Sequence, residues 1–577
     1  MFLKKVKKTH KGKVYETYAL TESYREGGKV KHRNIASLGA LAPERIQRMQ
    51  LVLKAQRIDG VFVGHLSDVV AKQHFRFLDV AVLDDFWKQF GLDQFFAELP
   101  YAESMVVNRC LDPKSKINIK DWTNKTVLPR LHGSDHVDGY GVYRALDSIA
   151  DREAELQRYL AERYRQLGIT AGNTIFYDIT SSYFEGTKCV LASFGYSRDH
   201  RPDRQQVVIA LVVTPEGYPL YWQVLPGYIH DATTVKDLLR VLKDRLGIEQ
   251  CLMVFDRGMV SVENLEAISA QNLTYVSALD KNEIPDILES DFQSLVVKDW
   301  KENLLARGFS VYDKNLVYRE HVDDGKRFVL AFNLQLCLDQ RQTRAQQIGK
   351  AEAFLSALNE NLSKAGKSRV RDTTEVKVEK GLKRWGMKKI ITWHLESTVV
   401  SFQPSQGNAR DVNTFRIVYS INQEALQEQG KMDGVFCFVT NDLSDNLTCH
   451  RVIGYYRRKN KIEEAFREIK NYLRLRPFYL TRARRVRAHV TICVLGYLLL
   501  NALEERLVSS SVKLSGPSTL EMLRECQVNR IGPHDSEAFV ESITQLTKDQ
   551  VEILNELHLN HLTEKKYLSK LLRQSGM

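Results

Sequence analysis

The 577-residue chain is 43% hydrophobic and 27% charged, the balance of a globular protein, and is long enough for about three to five domains. Its formal charge of +12 is concentrated: residues 1–35 hold ten Lys/Arg against three Glu, and residues 451–487 hold thirteen against three. Two short basic segments suit a polyanion such as DNA or RNA better than a solubilising surface, and neither has the broad apolar face of a membrane-surface helix.

The eight cysteines are scattered without a C-x-x-C, which argues against structural zinc and fits buried thiols in a reducing compartment. The start, Met-Phe-Leu-Lys-Lys-Val-Lys-Lys, lacks the apolar core of a secretory signal. The longest apolar run, around Val490–Leu500, is too short to cross a bilayer and reads as a buried helix. A soluble, cytoplasmic protein without membrane contact is expected.

Residues 1–40 read as a basic β-meander, with Val14–Leu20 and Val30–Leu38 flanking a turn at Glu26-Gly27-Gly28-Lys29. Residues 41–168 read as mainly helical, including Pro43–Arg57, Leu78–Phe90 and Gly141–Leu167, either a DNA-recognition region or scaffolding. Residues 169–279 change pattern. Strands are expected at Asn173–Thr180, Gln206–Thr214, Pro219–Leu225, Cys251–Phe255 and Thr274–Leu279, with helices at Thr234–Leu246 and Val262–Gln271. That order predicts an α/β domain around a sheet of mixed direction. Residues 280–440 read as a β-rich insertion around one long polar helix near Gln340–Ser363. Residues 441–506 return to the core with a helix across Tyr456–Lys470, the basic string Arg482–Arg487 and the apolar helix Ala488–Arg506. Residues 507–577 read as helical and polar, with no chemical motif.

A site that cuts or joins phosphodiesters needs carboxylates on rigid elements, close enough to hold two divalent ions about 4 Å apart. Asp178 sits inside the first core strand, among residues that suit a buried sheet; a polar residue is poorly placed there unless it faces a functional centre. Asp256 ends the strand Cys251–Phe255, where the next loop opens a crevice, although an acid there is often just a turn or helix cap. Glu463 supplies a third. At about 100° per residue, Tyr456, Lys459, Glu463, Arg467 and Lys470 fall within roughly 40° of one line, apart from the apolar stripe Ile462, Phe466, Ile469 and Leu473. An ordinary amphipathic helix with a salt-bridged face is the plain alternative. Glu185, Asp199, Asp203, Asp231, Glu464 and Glu468 are competing acids, of which Asp199 and Asp203 lie in an arginine-rich loop that suggests local ion pairs.

These residues resemble a known family. The strand order and the placing of the acids look like the ribonuclease-H-like core of DDE transposases. Tyr456-x2-Lys459-x3-Glu463-x6-Lys470 resembles the Y-x2-R-x3-E-x6-K signature of an insertion-sequence-four-like branch of bacterial transposases. Phe255-Asp256-Arg257-Gly258-Met259, Tyr177-Asp178-Ile179-Thr180, Gly195-Tyr196-Ser197-Arg198-Asp199 and Arg476-Pro477-Phe478-Tyr479 resemble further stretches of it. The likeness runs through most of residues 1–505. One departure is Lys459 where the signature has arginine, which keeps the charge but loses the planar fork. A register built on Tyr455 and Arg458 would put Ile462 at the acid position and is rejected, so the phosphate contact rests with Arg458 or Lys459.

The resemblance implies a bacterial, nucleoid-associated transposase with a ribonuclease-H-like catalytic core, a β-rich insertion in the 206 residues between Asp256 and Glu463, an N-terminal β-meander and a helical DNA-binding region. Asp178, Asp256 and Glu463 would be catalytic and would hold two Mg²⁺, with Mn²⁺ able to substitute. Tyr456, Arg458, Lys459, Lys470 and Arg257 would contact DNA. The partners would be double-stranded DNA, as transposon ends and target, and a second copy of the chain when bound to it. A transposase-derived DNA-binding regulator without catalysis, or a related nuclease, are the alternatives.

Overall fold

A computed structural model describes residues 1–55, 66–133, 141–169, 174–186, 188–284, 299–534 and 536–573. Asn173, expected to open the first core strand, lies outside them. The chain forms two compact units, residues 1–156 with 468–577, and residues 157–467.

The first unit opens with an antiparallel sheet of β1 (Phe2–His10), β2 (Lys13–Glu26) and β3 (Lys29–Gly39). The two turns take left-handed backbone at successive positions, Lys11-Gly12 and Gly27-Gly28, as tight hairpins require. Strand register sorts the charges. Glu16, Glu22 and Glu26 share one face, where they pair with Lys5, Arg33 and Lys31 at 2.6–2.7 Å. The other face carries Lys4, Lys8, Lys13 and Arg25 and no acid.

Residues 41–168 hold the helices Pro43–Ala55, Leu78–Gln89 and Pro100–Leu111, but also a strand that was not expected, β4 (Val69–Arg76). The single helix expected over Gly141–Leu167 is two, Val142–Asp151 and Glu153–Gln166, separated at Arg152. The C-terminal region is not purely helical either. Gln527–Pro533 pairs with both β4 and Val540–Ile543 to make a three-stranded sheet. Within that sheet the Glu541 side chain is fully buried and accepts from both terminal nitrogens of Arg130 at 2.6 and 3.0 Å, with Arg530 at 3.0 Å. The apolar helix spans Ala483–Val508 and is long enough to cross a bilayer, contrary to the shorter run read from sequence; 94% of its most apolar window is buried, and it packs on Pro100–Leu111 and Val142–Asp151 as a core helix.

The second unit is organised by one large sheet built from β5 (Thr174–Tyr183), β6 (Gln206–Val213), β7 (Pro219–Pro226), β8 (Leu252–Phe255), β9 (Thr274–Ala278), β10 (Ser310–Val311), β11 (Leu316–Asp323) and β12 (Lys326–Asn333), together with β15 (Val435–Thr440) beyond the hairpin β13 (Ile391–Phe402) and β14 (Arg410–Ile421). Its order is β10-β11-β12-β15-β9-β8-β5-β6-β7. β5, β6 and β7 form an antiparallel meander, whereas β5, β8 and β9 are parallel. Every residue of β6 is buried, as a strand covered on both faces demands.

The insertion between β9 and β15 differs from the β-rich body read from sequence. Its strands β10–β12 join the central sheet through β15. The remainder is a helix-and-hairpin body, in which Leu334–Ser363 and a second helix, Arg371–Arg384, bury Leu355, Leu382 and Val378 against the β13–β14 hairpin. The first strand of that hairpin begins at Ile391 and runs to Phe402.

Candidate active site

β5 and β8 run parallel and in register from Thr174 beside Leu252 to Tyr177 beside Phe255, so the next pair along is Asp178 and Asp256. Asp256 continues the extended backbone (φ −82°, ψ 157°). The two positions are therefore about one strand spacing, roughly 4.8 Å, apart at the backbone, with side chains leaving the same face. Asp178 Oδ1 accepts the N–H of Ile179 at 2.8 Å. Asp256 Oδ1 accepts the N–H of Arg257 at 2.9 Å and so also caps the short turn that follows.

Two helices pack across this part of the sheet. Cys449–Arg458, capped by Thr448, lies on β8, β9, β12 and β15, and Asn460–Arg467 lies on β5 and β6. The first delivers Tyr456, whose hydroxyl donates to Asp256 Oδ1 at 3.1 Å and whose ring rests on Phe438 with centroids 4.7 Å apart. The second delivers Glu463. Lys459 forms the turn between them. It is only 4% exposed, and its Nζ donates to Glu463 Oε1 at 3.1 Å.

This joint corrects the single straight helix expected over Tyr456–Lys470. Ile462 N–H bonds back three residues to Lys459 carbonyl, which tightens the joint. Beyond Arg467 the chain passes into a π turn, Glu468–Tyr472, with Leu473 N–H reaching Glu468 carbonyl five residues back. A constant 100° step therefore does not carry through to Lys470. The apolar stripe Ile462, Phe466, Ile469 and Leu473 is buried throughout.

Electrostatics ties the acids together. Burial pushes the Asp178 carboxyl up to about 6, and the Asp256 charge adds to that; Lys459, the Ile179 N–H and Arg198 oppose it. Burial disfavours the Lys459 ammonium, yet Asp178, Asp256 and Glu463 together hold it above the ordinary lysine range. Burial and the Asp256 carboxylate keep the Tyr456 hydroxyl firmly protonated, as a donor to that carboxylate must be. The three carboxylates share this ammonium as counter-ion: among the described residues, no three His, Cys, Asp or Glu side chains are grouped closely enough to hold one metal ion.

The structure thus brings Asp178, Asp256, Tyr456, Lys459 and Glu463 together. Arg458 turns instead toward Glu216 at 3.7 Å, and Arg257, more than half exposed, reaches Asp280 at 3.1 Å. Lys470 belongs to the other unit and is half-buried in the π turn. Sequence reasoning missed Arg198. Its N–H donates to Ser181 Oγ at 2.8 Å on the Asp178 strand, and its guanidinium grips Asp231. Asp231 in turn faces the turn after Asp256, since a Cβ added at Gly258 would lie 3.4 Å from its Oδ2. The arginine-rich loop was the available signal. Its ion pairs do form between Asp203 and Arg201 and Arg204, whereas Asp199 accepts the Tyr183 N–H.

Residues 172–499 match the transposase DDE domain family, and residues 3–60 match the N-terminal domain of IS1634 family transposases. No curated protein matches. Among solved structures, the piggyBac transposase synaptic complex with hairpin DNA is similar at 10% identity over 75% of this chain and 70% of that one, with a TM-score of 0.32. The Mos1 transposase paired-end complex with left transposon end is similar at 12% identity over 41% and 68%, with a TM-score of 0.14.

Proposed function

This chain belongs to the transposase DDE domain family, an enzyme family of DNA transposition, and we propose that it cuts and joins DNA ends with Asp178, Asp256 and Glu463. The observation that supports this most is the parallel register of β5 and β8, which sets two carboxylates side by side, with a third on the helix laid over the same strands. The order β7-β6-β5-β8-β9, with β6 antiparallel to its neighbours, fits a ribonuclease-H-like core.

DDE transposases use divalent metals, and the chemistry of the donors here suits one, although the three carboxylates are gathered around the Lys459 ammonium rather than about one metal position. All candidate ligands are carboxylate oxygens, the hard donors that suit Mg²⁺ or Mn²⁺, and a cation already satisfies them in the form of the Lys459 ammonium. Asp178 and Asp256 would hold two such ions with Glu463, and the ions would supply polarisation of the phosphate and a more acidic attacking hydroxyl. Tyr456 fixes the rotamer of Asp256 through its hydroxyl. Lys459 balances the excess negative charge and offers an ammonium to a phosphate entering beside the acids. The acid-free face of the β1–β2–β3 sheet, with Lys4, Lys8, Lys13 and Arg25, would track the duplex backbone. Processing both ends of one element calls for a homodimer on DNA. Eight buried, unpaired cysteines suit the reducing bacterial cytoplasm.

Asp178→Asn tests the assignment: it should abolish divalent-metal-dependent cleavage of duplexes carrying the inverted repeats that border the gene, while binding stays within about twofold. Cleavage at the wild-type rate would remove the metal role of Asp178.

A further inference from the structure

Large apolar rings left in water beside a catalytic centre need a reason, and three stand on one rim of this unit. Phe194 is 61% exposed, Tyr196 80% and Tyr228 61%. They come from two loops, one between β5 and β6 and one after β7, that are sewn together. Ser193 bridges Gln206, and Gly227 N–H donates to Leu191 carbonyl at 3.2 Å. The buried Gln206 amide donates to Tyr196 carbonyl at 2.9 Å and to Gly227 carbonyl at 3.0 Å. The backbones touch so closely at Gly195 and Gly227 that a Cβ at either would lie 2.1 Å from a carbonyl oxygen. The rings are therefore presented by a tied backbone and would lose little freedom on binding.

What lies next to them identifies the occupant. Arg198 sits over the Tyr196 ring at 5.7 Å, bonds through its N–H to Ser181 on the Asp178 strand, and holds Asp231 against the turn after Asp256. The acids interleaved in the loop are used internally, Asp203 by Arg201 and Arg204, and Asp199 by the Tyr183 N–H. Exposed π faces, one of them under an arginine, at the edge of a phosphodiester-processing site match the way proteins hold bases that have left the duplex, by stacking. Intact duplex hides its base faces, so it offers such rings nothing.

We propose that Phe194, Tyr196 and Tyr228 form a stacking platform for unpaired bases at the DNA end being processed. This rests on the transposase reading above and adds to it a single-stranded binding site. The platform favours ends whose terminal nucleotides are frayed or single-stranded over blunt ones.

The test uses the full-length chain and two DNAs made from the inverted repeat that borders the gene, one fully duplex and one with a three-nucleotide single-stranded flank carrying 2-aminopurine. Wild-type protein should bind the flanked DNA about tenfold more tightly than the duplex and quench the fluorophore by stacking. Tyr196→Ala and Tyr228→Ala should each lose the quenching and most of the preference while duplex affinity stays within twofold, and Tyr196→Phe should behave as wild type. Duplex binding with no preference for the flank, or equal quenching by the alanine variants, would remove the platform alone. Loss of affinity for both DNAs in the alanine variants would mean a general binding defect and would also overturn it. Failure of the wild-type chain to bind either DNA would remove the transposase reading together with the platform.

Discussion

The Tyr456 hydroxyl donates a 3.1 Å hydrogen bond to Asp256 Oδ1 across 200 residues of sequence, and the same ring packs on Phe438. Removing the hydroxyl alone should separate the two roles. Tyr456→Phe keeps the packing, so its melting temperature should stay within about 1 °C, while single-turnover cleavage of end DNA falls about tenfold, the equivalent of one hydrogen bond to a charged group. Unchanged cleavage would mean that Asp256 needs no such support.

Lys459 is buried beside three acids, so its charge should matter even before any chemistry. Lys459→Met leaves the carboxylates facing one another without their counter-ion, and it should destabilise the metal-free protein by about 3 kcal/mol. Lys459→Arg should cost much less. Added Mg²⁺ should raise the melting temperature of Lys459→Met more than that of wild type, because the ion would then replace a missing charge. An equal Mg²⁺ shift in both proteins, read by thermal denaturation, would count against the shared-counter-ion arrangement.

In the first unit, Glu541 is fully buried between Arg130 and Arg530. Glu541→Ala would strand two guanidiniums, one of them almost fully buried, and should cost about 3–5 kcal/mol. The double variant Glu541→Leu with Arg130→Met should recover part of that loss. Urea denaturation followed by a probe in the first unit would show it.

Burial and the nearby Glu103 push the Asp84 carboxyl up to about 7. His132, 3.0 Å from Glu103, is also raised, with burial opposing and the carboxylates winning. Both groups bind protons more tightly folded than unfolded. Their contribution is therefore complete below the unfolded carboxylate value, near pH 4, and Asp84's share is lost as pH rises through about 7. Asp84→Asn removes that loss. Its stability relative to wild type should improve between pH 5 and pH 8 by on the order of 1–2 kcal/mol. A pH-independent difference in melting temperature would contradict this origin.

Much of the site could be read from the chain because its signals are local. Asp178 interrupts a string of strand-forming residues and Asp256 ends one, and a period of two with flanking turns is enough to see both. The hairpin at Gly27-Gly28 was equally plain, since a glycine pair takes consecutive left-handed positions without steric cost. Other features had no local signal. The turn at Lys459 and the π turn after Arg467 break a pattern that, as letters, continues unbroken to Leu473. Arg198 looked like one more loop arginine until Ser181 and Asp231 were seen beside it.

The amino-acid sequence by itself determined which residues could serve: the acids, the basic stripes, the strand and helix periods, and the membership of a transposase family. Tertiary structure alone decided what they face. It added the insertion's β10–β12 to the core sheet, paired β4 with a strand more than 450 residues away, and put the Lys459 ammonium among three carboxylates. The reason is that side-chain periodicity is a property of neighbours in the chain. Strand partners and counter-ions are instead chosen by the free energy of burying backbone polar groups and charges, which depends on whatever the rest of the chain brings alongside.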